Sequence, residues 1–444
     1  MPILADTFPR YLEHDPLVPV FCLTPGSKPA IHRFFDTSPI SPSGRYLVVT
    51  EFPFEDRVPA PGDHADVVVI DLVMGVEVYR SATAAWDTQL GAQAQWGKTD
   101  TDLFFNRMDS TTWVPFGVRV DILGQSERKL QHTVYMVSPD GDHALSPCLR
   151  RIAHVQPGYG VIVRDLSGLK HSGASSSDGI HIIDTRTGES RLLVSLAEIV
   201  AAQPETFEDI DLGTGGFYGF HVKWNPQGTR IMFVIRWVGD NGRRESYLIT
   251  CDRDGGNIHT AIDAATWRGG HHPNWCPDGE TIVMNLVERK PRSLLTPVKR
   301  LLEKATRKAS SKLKVDFRLT SNDEVLRFAL FKYDGSSFRY VGKPHRGSGH
   351  PTMCPGQTHV LTDAYPREPV SYVDGSVPIR RVGIDGAHAQ ELVRIDATPT
   401  INGPKSALRI DPHPAWTRDN SAIVFNGAVN GSRRVFIALM ENLK

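Results

Sequence analysis

Histidines recur in this chain at one fixed distance from a turn. Five residues ahead of Pro226, Pro277 and Pro355 stand His221, His272 and His350; in the next copy Arg418 holds the proline position and the histidine is His413. Three of them open the phrase His-x-x-Trp (HVKW, HPNW, HPAW) and the other opens HPTM. Gln93 of QAQW takes the same position in an earlier copy, Thr37 and Val134 take it in two more, and His271 adds an adjacent imidazole. Neutral imidazoles and an amide gathered in one volume can hold a divalent metal or carry acid–base chemistry. The plainer alternative is a repeat signature whose rings bond nearby backbone. Trp224, Trp275 and Trp416 read as packing.

Such residues meet only if the chain repeats one unit around an axis. The turn phrase appears in ISPSGRYLVV (40–49), VSPDGDHALS (137–146), WNPQGTRIMFV (224–234), WCPDGETIVMN (275–285), MCPGQTHVLTD (353–363) and WTRDNSAIVFN (416–426), with a weaker copy at 95–106. Each is two apolar β-runs around a Gly-, Asp- or Asn-bearing turn. Between them lie strand–Asp–turn–strand phrases such as DVVVIDLVMGVEVY (66–79) and GIHIIDTRTGESRLLV (179–194). Four short strands per unit, repeated radially, predict an all-β, seven-bladed β-propeller. The blades fall near 38–80, 90–128, 131–197, 216–262, 270–342, 349–395 and 412–441, and a strand near 18–23 closes the ring. The innermost strand of each blade then lines a central channel, with the histidines at one mouth.

In that topology the connection after each second strand lies on the histidine face, where binding residues concentrate. The first such loop (52–66) holds Arg57 and His64. The third (149–165) holds Arg150, Arg151, His154, Tyr159 and Arg164, and the sixth (364–372) holds Tyr365 and Arg367. The fifth blade carries a basic insertion, 288–318, predicted helical; from Arg289 to Arg318 eleven Lys and Arg face two acids. It reads as a solvated helix, a lid that attracts an anion, or a contact for an anionic membrane surface.

Fifty basic residues balance fifty acidic ones, so no global charge draws the chain to nucleic acid. No apolar run is long enough for a transmembrane segment or a signal peptide, and five cysteines show no CxxC pair, so a cytoplasmic location is expected. A P-loop, a GxGxxG after a strand, a GxSxG elbow, HExxH and the sialidase Asp-box are all missing from the sequence.

Histidine, arginine and tyrosine together suit β-elimination from a uronate. The carboxylate must be neutralised, a base must take the C5 proton, and an acid must protonate the departing oxygen. The repeats resemble WD40-like propellers of the TolB type over most of the chain. GGHHPNWCPDG (269–279), GSGHPTMCPG (347–356), DPHPAW (411–416) and the seven-unit layout resemble the propeller polysaccharide lyases, namely the oligogalacturonate lyases and the propeller ulvan lyases. The first likeness implies a cytoplasmic lyase for acidic oligosaccharides, with a divalent metal (Mn, Zn or Ca) held by His272, His350 and His413 together with His271 and Gln93. The second implies His221 or His154 as base, Tyr159 or Tyr218 as acid, and Arg150 or Arg164 on the carboxylate. Both sets stand open at this point. So does the oligomeric state, and so does a non-catalytic propeller that binds a protein partner or an anionic glycan.

Overall fold

The computed structural model describes residues 4–440 apart from 27, 125, 166, 290–323, 367 and 400–406. Seven antiparallel four-stranded sheets are arranged as a seven-bladed β-propeller. Blade 4 shows the unit most fully: Gly215–Trp224, Arg230–Gly239, Arg244–Asp252 and His259–Ile262, in that order from the axis outward. Its two inner strands pack against neighbouring blades on both faces, so Ile231, Met232, Phe233, Val234 and Ile235 are all buried. A strand covered on both sides reads as a continuous apolar run rather than an alternating one. Outermost strands face water; all four residues of Ser126–Lys129 are exposed.

In six of the seven blades the turn between the first two strands places a left-handed residue two places after the proline position. Gly44, Gly141, Gly228 and Gly279 supply it, and Gln357 and Asn420 adopt the same positive φ in blades 6 and 7. Each donates its backbone N–H to the carbonyl three residues back. Blade 7 is built from both ends of the chain. Ala415–Trp416, Ala422–Val429 and Ser432–Leu439 are joined by Val20–Cys22, with Val20 opposite Ala438 and Cys22 opposite Phe436. Hydrogen bonds across this pair hold the ring shut.

The only described α-helices are Ile152–Val155 and Leu196–Ala202. The helix expected within 288–318 falls almost wholly outside the described residues; Glu288 and Arg289 end a strand, Thr281–Arg289. No described helix is long and apolar enough to cross a membrane.

Blade 1 departs from the repeat. Ala30 and Ile31 pair with Glu51 and Thr50, and pairing resumes only where Ile40 meets Leu47. The intervening residues, His32 to Pro39, leave the sheet and fill one side of the channel.

Candidate functional site

Blades 4 to 7 each aim one histidine at the axis. The rings form a chain of contacts: His221 to His272 at 6.5 Å between centroids, His272 to His350 at 4.1 Å, and His350 to His413 at 4.3 Å. The backbone explains the aim. A β-bulge interrupts the inner strand beside His221 and His272, and His350 and His413 lie just ahead of theirs. His272 and His413, like Gln93 in blade 2, have a positive φ. A non-glycine residue rarely keeps that conformation unless its surroundings impose it, and such residues cluster at functional sites.

Burial keeps three of the four rings uncharged. It holds His221, His272 and His413 well below the usual histidine range, and the neighbouring imidazoles deepen the effect for His272 and His413. Neutral imidazole is the form that ligates metals. Asp363, fully buried, fixes the tautomer of His350. Its carboxylate lies 3.0 and 2.9 Å from Nδ1 and also accepts the backbone N–H groups of His350 (2.6 Å) and His413 (3.1 Å). Nδ1 therefore carries a proton, which leaves Nε2 as the ring's candidate ligand atom.

Potential ligand atoms of His350, His413 and Asp411 lie within 4.8 Å of one another, all three residues buried. Both ring nitrogens of His413 and Oδ1 of Asp411 are buried with no hydrogen-bond partner among the described residues. Buried polar atoms without a partner are costly, and a divalent cation would satisfy them. Two imidazoles and a carboxylate fit manganese or zinc better than calcium, which prefers an all-oxygen shell.

Partly accessible groups surround these three. Tyr365, from the loop after the second strand of blade 6, places its hydroxyl 2.5 Å from His272 Nε2 and 3.2 Å from His350 Nε2. Burial raises its phenol well above the usual range, so it stays protonated. Glu368 accepts the N–H of Tyr365 at 2.9 Å and lies 3.8 Å from His271 Nε2; burial lifts its carboxyl to about 7. Arg409 comes from the connection between blades 6 and 7. Its Nε donates to Asp411 at 2.9 Å and its Nη2 to the Tyr159 hydroxyl at 3.1 Å. Burial disfavours its charge, yet Asp411 outweighs that and keeps it protonated.

The residues singled out from sequence are placed as follows. His221 stacks beneath the mouth with Nδ1 hydrogen-bonded to Tyr135, and Tyr159 packs edge-on to it at 6.0 Å. His271 is half-buried beside His272 at 4.7 Å. Gln93 is turned to the opposite side of the channel, where its Oε1 accepts a hydrogen bond from Arg33 at 2.9 Å. Thr37 bonds Arg33 within the blade 1 excursion. The Tyr218 hydroxyl accepts the backbone N–H of His171. The Arg164 guanidinium lies 3.7 Å over the Trp113 ring, and Arg150 is partly buried near His132. His154 is on the helix Ile152–Val155 with its side chain outside the described residues, as is all of Arg367. Sequence reasoning did not select Asp363, Glu368, Arg409 or Asp411 as site residues. The phrase Arg-x-Asp-x-His (409–413) was a usable signal for two of them, since it precedes a register histidine.

No protein-family model matches the chain, and no curated protein matches it in sequence. Solved structures do match. One is an oligogalacturonate lyase in complex with manganese, at 14% identity over 98% of this chain and 96% of that one, with a TM-score of 0.60. Another is an oligogalacturonate lyase from Vibrio parahaemolyticus, at 13% identity over 98% and 97%, also at 0.60. At such identities the likeness is one of architecture: the chain has the same propeller fold as the oligogalacturonate lyases, over nearly its whole length.

Proposed function

We propose that the histidine mouth is the active site of a lyase that cleaves a uronate-containing oligosaccharide by β-elimination, with a divalent metal held by His350, His413 and Asp411. The observation that carries this reading is the convergence of three things in one recess. They are the neutral, buried imidazoles of His272 and His413 with unpartnered nitrogens, a protonated phenol between His272 and His350, and an arginine beside them. The architectural likeness to oligogalacturonate lyases, one of them a manganese complex, supports it.

Each requirement of the reaction has a group in place. Arg409 is the cation suited to the substrate carboxylate. It stands at the mouth, while Arg164 is engaged on Trp113. Bound cation would supply Lewis-acid stabilisation of charge developing on that carboxylate. His272, neutral, takes the C5 proton on Nε2, the nitrogen that faces the Tyr365 hydroxyl, since its Nδ1 is buried. The C5–H electron pair becomes the C4–C5 double bond as the C4–oxygen bond breaks. Tyr365 gives its proton to the departing oxygen and recovers one from His272 across their 2.5 Å contact, so the pair returns to its starting state. Tyr159, buried, holds Arg409 in position, its hydroxyl accepting the guanidinium's hydrogen bond.

The test is ultraviolet absorbance of the unsaturated product during incubation with oligogalacturonates and other uronate oligosaccharides, with and without chelator. A chelator-sensitive rise is expected. Saturable binding of those oligosaccharides with no unsaturated product would establish the binding-module alternative instead.

A further inference from the structure

The histidines occupy only blades 4 to 7 of the ring. The other half of the channel is closed by the blade 1 excursion, whose Phe34 and Phe35 are 0% and 2% exposed. Phe34 touches all four imidazoles. It stacks on His221 at 5.2 Å and 28°, and meets His413, His350 and His272 edge-on at 4.7, 5.9 and 6.1 Å. Among the described aromatic rings, no other packs against all four. Phe35 lies beneath three of them, at 5.1 to 6.4 Å.

Excursions of this kind need an anchor, since eight residues leave the sheet. Here the anchor is ionic and buried. Arg33 pairs with Asp36 at 2.7 Å and donates to Gln93 at 2.9 Å and to the Tyr135 carbonyl at 2.5 Å. Lys223, two residues after His221, reaches Asp36 at 3.0 Å and the Pro273 carbonyl at 2.9 Å, with its ammonium 4.2 Å from the Phe35 ring centre. All three charged side chains are at most 2% exposed. The cation of Lys223 and the carboxylate of Asp36 thus lock blade 1 to blade 4, and through Pro273 to the strand that carries His272. Buried ion pairs contribute little net stability but can fix one arrangement among several.

We propose that Phe34 is a positioning residue for the metal site, a wedge whose flat faces and edges set the spacing of His221, His272, His350 and His413. This rests on the metal reading above. An aromatic ring suits the task because it presents one face to a stacked imidazole and its rim to the others, which a branched aliphatic of similar bulk does not.

The test titrates Mn2+ into metal-free full-length protein by calorimetry, comparing wild type with Phe34→Leu, Phe34→Ala and a control, Phe436→Leu. Phe436 is fully buried in the third strand of blade 7, packed on Tyr11 and Phe425 away from the histidines, so its loss reports destabilisation alone. We expect Mn2+ affinity to fall about 10–100-fold in the Phe34 variants and to hold in Phe436→Leu despite a lower melting temperature. Phe34→Leu binding as tightly as wild type overturns the proposal, and so does an equal loss in Phe436→Leu. A wild-type protein that takes up no Mn2+ refutes the metal reading and this proposal together, whereas wild-type uptake with unchanged Phe34 variants refutes the wedge alone.

Discussion

Asp363→Asn probes the tautomer argument most directly. The native carboxylate serves three N–H donors, namely His350 N–H, His350 Nδ1–H and His413 N–H. An amide keeps one accepting oxygen and gains an NH2 group. With that oxygen in the Oδ1 position, the NH2 faces the His413 N–H; turned over, it faces the His350 N–H. Either way one buried backbone donor meets another donor, at about 1–3 kcal/mol in stability. A ligand-orienting partner of this kind is worth about 10–100-fold in metal affinity, or roughly 1.4–2.7 kcal/mol. The assay pairs Mn2+ calorimetry with nitrogen-15 NMR of His350, which reports the protonated nitrogen. The expected outcome is weaker binding, a melting temperature lower by a few degrees, and partial appearance of the Nε2–H tautomer. Wild-type Mn2+ affinity in a folded Asp363→Asn protein would refute the reasoning.

Other groups give further tests. Tyr365→Phe removes the acid but no proposed ligand, so Mn2+ affinity should hold while turnover on an oligogalacturonate falls about 100–10,000-fold; a turnover near wild type would retire the phenol. Arg409→Met should raise KM for a uronate oligosaccharide and leave Asp411 without its 2.9 Å partner, and Arg409→Lys should restore only part of the binding, since a point charge replaces a planar fork; equal KM in all three proteins would remove Arg409 from the carboxylate. Acid stability should report His132, which burial and its stacked neighbour His181 lower to about 3, with Asp178 raising it and Arg150 lowering it further. A histidine depressed in the folded state stabilises fully above its unfolded value near 6.5 and loses that contribution as pH falls towards 3, by up to about 1.4 kcal/mol per pH unit. Melting temperatures of His132→Gln should therefore fall less steeply than wild type between about pH 6.5 and 4, and parallel slopes would exclude His132 as a source.

What the sequence disclosed, and what it withheld, follows from the kind of constraint each residue obeys. The propeller was legible because six of the seven inner hairpins use the same left-handed turn residue, and Gly44, Gly141, Gly228, Gly279, Gln357 and Asn420 mark it at a constant offset. The histidines were legible for the same reason, since a fixed offset from the turn is a fixed height along the channel. Offset does not encode which way a side chain turns at that height. Gln93 shares the positive φ of His272 and His413, yet it faces Arg33, because the blade 1 excursion puts a guanidinium there. Arg409 and Asp411 escaped because they lie on a connection between blades, where no repeat supplies an alignment, and Asp363 because it follows a second strand rather than opening a first.

Blade 1 breaks the repeat, and it does so where the channel would otherwise be symmetric. Seven equivalent blades aiming seven equivalent residues at an axis would make a wide ring, with opposite members too far apart to share one cation. With Arg33, Phe34, Tyr135 and Gln93 on the side of blades 1 to 3, the remaining four positions form an arc in which two of the three adjacent imidazole pairs approach to 4.1 and 4.3 Å and the third stands at 6.5 Å. Asp411, Tyr365 and Arg409 close the open side of the arc from two non-equivalent loops. The chemistry proposed here needs distinct groups on either side of a sugar ring, one for the carboxylate and another for the protons. A propeller acquires such asymmetry only where its repeats fail, and in this chain the irregular segments are the ones that bring unlike groups to the mouth.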